Sequence, residues 1–100
     1  MDNKYLKLHE LTPQKLAWVT REISESRTYE LDDDSHIVVT GTNTRVGYIG
    51  DDTFELVNPE DPTLIQHHKN IISIYNTAIR GFFRDKGRRK GRNIDNLVSA

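Results

Sequence analysis

The chain has 100 residues, 35% hydrophobic and 29% charged, with a formal net charge of -1 and no cysteine. That length suits one small domain with a modest core, and the lack of cysteine excludes a disulfide framework and thiolate metal sites, so a reducing, cytoplasmic setting is expected. The opening MDNKYLKLHEL is polar and charged, holds no apolar run long enough for a secretory signal or a membrane span, and reads as an N-terminal arm.

After this arm, Thr12 is placed to cap a helix and Pro13 to occupy its first position, where a missing N–H costs little. Leu16, Val19 and Ile23 follow at spacings of three and four with Trp18 beside them, which predicts an amphipathic helix over Pro13 to Ser26. The period then changes. Tyr29 to Leu31, His36 to Thr40, Arg45 to Ile49 and Thr53 to Val57 are short, rich in β-branched and aromatic residues, and separated by Asp-, Gly- and Asn-containing turns. Turns this short join antiparallel neighbours, so a four-stranded meander is expected, with Ile37, Val39, Val46, Tyr48, Phe54 and Leu56 sharing a buried face.

Asp61 and Pro62 mark the start of a second helix. Leu64, His68, Ile71, Tyr75, Ala78 and Phe82 form one row along it, and Ile65, Ile72, Ile79 and Phe83 an adjoining row. So wide an apolar face leaves two expectations open: that part of the helix packs on the first one and part forms a homodimer contact, or that the first helix and the N-terminal arm cover all of it. Gly87 and Gly91 are expected to end the helix. The fold expected is α+β, in the order α-β-β-β-β-α and two layers, over residues 1–87, with residues 88–100 a flexible basic tail.

Charge is the strongest functional signal. Residues 80–92 carry Arg80, Arg84, Lys86, Arg88, Arg89, Lys90 and Arg92 against Asp85, a local charge of +6, whereas residues 22–61 carry eleven acids against Arg27 and Arg45, a local charge of -9. Cations in a last helical turn are favoured by the helix dipole alone, which accounts for Arg80, Arg84 and Lys86. Arg88, Arg89, Lys90 and Arg92 lie beyond the expected helix end and point to phosphate contacts with DNA or RNA, the alternatives being a solvated tail, an acidic protein partner or a clamp on the chain's own acidic middle. The seven basic residues are therefore the candidate nucleic-acid-binding set of a non-enzymatic regulatory protein of the size found in bacteria and phages. The alternative is a protein-binding modulator: Asp32, Asp33, Asp34, Asp51, Asp52 and Glu55 would present a negative surface to a protein partner, as an inhibitor that imitates nucleic acid does, or the wide apolar face of the last helix would form the contact.

Catalytic and metal signatures are weak. His67 and His68 are adjacent and so point about 100 degrees apart on a helix, and His9 and His36 have no partner at ligand spacing. His68 falls on the apolar stripe and reads as a core-edge residue with one hydrogen bond. Asp51, Asp52 and Glu55 give the third reading, a metal-dependent nuclease, but no lysine stands in their hairpin. No cofactor, catalytic residue or membrane contact is expected, and Trp18 and Tyr75 read as core or interface anchors.

Overall fold

The computed structural model describes the backbone of residues 4–99 and the side chains of residues 4–85. Two α-helices and a five-stranded antiparallel sheet make an α+β fold: β1 (Tyr5–Glu10), α1 (Pro13–Ser26), β2 (Tyr29–Leu31), β3 (His36–Val39), β4 (Arg45–Tyr48), β5 (Thr53–Val57) and α2 (Ile65–Ser99). Short 3-10 turns occupy Gly50–Asp52 and Pro62–Leu64.

The spatial order is β1-β5-β4-β3-β2, so the meander is present and the segment read as a polar arm adds a fifth strand along β5. Leu6 and Leu8 alternate with polar residues, the pattern of a strand wet on one side. A register shift between Lys7 and His9 then sets His9 opposite Phe54. There the imidazole lies nearly parallel to the Tyr75 ring at 4.4 Å, and Tyr75 in turn stacks with Phe54 at 4.8 Å. An aromatic contact of this kind offsets the ordering of an edge strand that has only one neighbour.

Helix α1 begins and ends where the sequence places it. The Thr12 hydroxyl accepts a hydrogen bond from the Lys15 backbone N–H at 3.2 Å, and Pro13 follows. At the other end Arg27 closes the helix in the left-handed region, at φ 63. Val19 and Ile23 are buried against α2 and the sheet.

The sheet departs from simple alternation at one point. Ile37 pairs with Gly47 but Val38 pairs with Arg45, so Val46 is an extra residue that bulges into the core. Phase is restored beyond it, and Tyr48 pairs with His36 and Glu55, on the face opposite Leu56. The expectation that Tyr48 shares the buried face with Val46 is thereby corrected. Gly47 occupies the inward position instead. A Cβ there would lie 2.7 Å from Ile71 Cδ1, so the missing side chain lets α2 approach β4.

Leu64, in the turn that leads into α2, and His68, Ile71, Tyr75 and Ala78 on it are buried as their spacing predicts, and His68 Nε2 donates to the Val57 carbonyl at 2.8 Å. The adjoining row divides: Ile72 and Ile79 pack on the core, whereas Ile65 and Phe83, at its ends, are 47% and 53% exposed. The backbone stays helical past Gly87 and Gly91, correcting the expected stop. Two glycines cost up to about 1 kcal/mol each, and they stand among Arg and Lys, which are good helix formers.

Candidate nucleic-acid interface

Helices α1 and α2 pack antiparallel. The Tyr29 hydroxyl, just past α1, meets His67 Nδ1 at 2.8 Å, while Lys15, near the start of α1, stands over Phe82 and Phe83. At about 1.5 Å per residue, α1 spans roughly 21 Å and α2 roughly 52 Å. The helical pair therefore ends at Phe82 and Phe83, and α2 continues beyond α1 with the basic segment of the sequence.

The end of the pair is built around Trp18. Gly81 makes this possible, since a Cβ there would lie 2.8 Å from Trp18 Cζ3. The Arg21 guanidinium lies over the indole, its Cζ 4.3 Å from the ring centroid, and the Lys15 ammonium lies 5.8 Å and 5.2 Å from the Phe82 and Phe83 centroids. Cation–π contacts of this kind hold long side chains in place while leaving their charge uncompensated. Trp18 is half-buried and serves as the helix-to-helix anchor that its position predicts, but it also lines a groove of about 660 Å³ with Thr12, Gln14, Lys15, Ala17, Phe82 and Phe83.

Of the basic residues singled out in the sequence, Arg80 and Arg84 are exposed on α2, flanking Phe82 and Phe83 in the chain, with Arg80 Nη2 donating to Thr77 Oγ1 at 3.4 Å. The side chains of Lys86, Arg88, Arg89, Lys90 and Arg92 lie outside the described residues. The sequence did not single out Lys15 and Arg21; with Trp18 they recur at spacings of three, the signal of a shared helix side.

The ion pairs among the described residues lie elsewhere: Lys4 with Glu60, Lys7 with Glu10, and Arg45 with both Asp32 and Asp34, with His36 Nδ1 a further 3.9 Å contact to Asp32 Oδ1. Lys15, Arg21, Arg80 and Arg84 enter none of these.

The acidic hairpins are largely engaged from within. Arg45 Nε and Nη2 donate to Asp32 Oδ2 and Asp34 Oδ2 at 2.9 and 3.0 Å, closing the β2–β3 turn. Asp32 Oδ1 also accepts the backbone N–H groups of Asp34 and His36. Burial acts to raise the Asp32 pKa, but these two backbone donors and Arg45 outweigh it and hold the carboxyl below its ordinary value. Tyr48 donates to Asp51 Oδ2 at 3.0 Å, and that bond, with burial, raises the Tyr48 pKa. Thr53 donates to Glu55 Oε2 at 2.8 Å, while Asp33 and Asp52 are exposed. Among the described residues no three His, Asp or Glu side chains converge to hold a metal ion, and no helix is long and apolar enough to cross a membrane.

Comparison with family models, with curated proteins and with solved structures returns no match to this chain.

Proposed function

We propose that this is a small nucleic-acid-binding protein that grips phosphates with the end of its helical pair and the basic segment that follows. One observation carries the reading: Lys15 lies over Phe82 and Phe83, Arg21 lies over Trp18, and Arg80 and Arg84 are exposed on the same stretch of α2 as the two phenylalanines, all four outside the described ion pairs, where the sequence runs on into five further Lys and Arg between residues 86 and 92. Cations outside the described ion pairs attract a polyanion to that part of the molecule, while the acidic residues between 22 and 61 repel it and so orient it toward the basic segment. Arginine adds forked, two-point contacts to phosphate oxygens. Each phosphate neutralised releases condensed counterions, so affinity depends steeply on salt.

The test is a titration of labelled duplex DNA, single-stranded DNA and RNA at several salt concentrations. With about six phosphates neutralised, the log-log slope on duplex is about -5. Replacing Arg80 and Arg84 together by Ala makes that slope shallower by roughly 2. A flat salt response, or a slope that the double replacement leaves unchanged, overturns the proposal.

A further inference from the structure

Resting on the nucleic-acid reading above, we infer that the groove between the start of α1 and Phe82–Phe83 receives an unpaired base, so that the protein selects single-stranded over duplex nucleic acid. Phosphate contacts alone require cations on an accessible surface and have no use for aromatic walls. Here the two occur together. Trp18, Phe82 and Phe83 line a groove of about 660 Å³, within the roughly 300–1,000 Å³ range of small-ligand clefts.

The positions of the cations show what the walls accept. Arg21 Cζ lies over the indole at 4.3 Å from the ring centroid, and Lys15 Nζ reaches both phenyl rings. A nucleobase stacks on an aromatic face and on a guanidinium plane alike, while the adjoining ammonium takes its phosphate. Among the described residues no acidic side chain lines the groove, and Lys15 and Gln14 at its wall supply donors for a base edge or a phosphate oxygen. Phe83, 53% exposed, is the wall most open to an incoming ring.

A base within a duplex has both faces covered by its neighbours and cannot enter. A duplex then keeps only the phosphate contacts of the basic segment, whereas a single strand gains the stacking in addition. The Lys15 charge on the groove wall favours such a polyanion over the apolar side chain of a protein, which would bury Lys15 without a counter-charge.

Trp18 is the chain's one tryptophan, so the groove reports on itself. The full chain is titrated with a labelled 15-nucleotide oligothymidylate and with a duplex of equal length, reading label anisotropy and Trp18 emission together. The single strand is expected to bind about tenfold or more tightly and to quench Trp18 at saturation, the effect of one or two stacked bases. Phe83→Ala, at an exposed position, is expected to lower single-strand affinity about 5- to 150-fold and to narrow the gap between the two forms. Lys15→Ala gives an independent variant should Phe83→Ala disturb the fold, checked by circular dichroism.

Equal affinities for the two forms, or single-strand binding without quenching, sinks the inference and leaves the phosphate reading standing. No binding of either form sinks both. A Trp18 change that follows protein concentration without nucleic acid, with a mass in solution that Phe83→Ala halves, assigns the groove to a second copy and overturns the inference.

Discussion

The Tyr5 hydroxyl lies 2.7 Å from His36 Nε2, although β1 and β3 are separated in the sheet by β5 and β4. Tyr5 reaches across the sheet, its ring 5.9 Å from that of Tyr48 and nearly perpendicular to it, and 44% of the residue stays exposed while His36 is 7% exposed. The contact is therefore asymmetric. An exposed residue satisfies a buried one whose other ring nitrogen, Nδ1, has no hydrogen-bond partner. Tyr5→Phe removes the hydroxyl, keeps the ring, and leaves both nitrogens of a buried imidazole unpaired. It is expected to cost about 1–3 kcal/mol, the penalty for stranding a buried polar group, read as a lower urea midpoint at unchanged slope. Tyr48→Phe, which loses a bond to the exposed Asp51, serves as the control and is expected to cost less.

That pairing explains which part of the fold the sequence conceals. The elements from Pro13 to Val57 are legible because each is closed by local chemistry: a Thr-Pro start, Asp- and Gly-containing turns, and strands whose partners are the next strands along. Strand β1 joins β5 across more than forty residues, and its anchors are a histidine stacked on Tyr75 and a tyrosine bonded to His36, neither of which declares itself as apolar periodicity. The bulge at Val46 is hidden for a similar reason, since β-branched residues on either phase of a short strand read alike. At the candidate site the basic run and the apolar rows of α2 are legible, but the groove is not. It depends on Gly81 admitting Trp18, a relation between two helices that only packing reveals.

Asp32 ties the acidic turn to pH. Its folded-state pKa is lowered because two backbone N–H groups and Arg45 outweigh the effect of burial, so its carboxylate contributes stability that is fully present above the ordinary Asp value of about 3.9. That contribution is lost as pH falls through the lower folded-state value. Asp32→Asn is expected to flatten this acid limb and to reduce stability at neutral pH, where the charged contact with Arg45 is otherwise intact. Thermal unfolding followed from pH 7 to pH 2 checks both; parallel acid limbs in the two proteins would count against the assignment.

Arg27 offers a gain. It closes α1 at φ 63, a region that costs a residue with a side chain roughly 1–2 kcal/mol and costs glycine nothing. Arg27→Gly gives back part of this through the extra freedom of the unfolded chain, so a net stabilisation of about 0.5–1 kcal/mol is expected. In a domain of this size that corresponds to a rise in Tm of several degrees, about 4–8 °C for a full 1 kcal/mol. A lower Tm would mean that the Arg27 side chain contributes more than its backbone costs.

Two glycines hold helices close, and they predict opposite balances on substitution by alanine. At Gly47 the added Cβ would stand 2.7 Å from Ile71 Cδ1 and 2.9 Å from Ile37 Cδ1, both in fully buried side chains with no space to retreat. Overpacking there is expected to cost about 1–3 kcal/mol. At Gly81 the Cβ would meet Trp18 at 2.8 Å, but this ring lies at the edge of the core and borders an open groove. It can move outward, and alanine in a helix interior recovers up to about 1 kcal/mol over glycine. Gly81→Ala is therefore expected to leave stability nearly unchanged while displacing Trp18, seen as a red-shifted emission and easier quenching by acrylamide. Gly47→Ala should show the reverse pattern, with lost stability and an unmoved Trp18 spectrum in the folded protein. If Gly81→Ala destabilised as much as Gly47→Ala, Trp18 would have to be counted as a fixed part of the core, and the groove beside it as too rigid to admit a stacking partner.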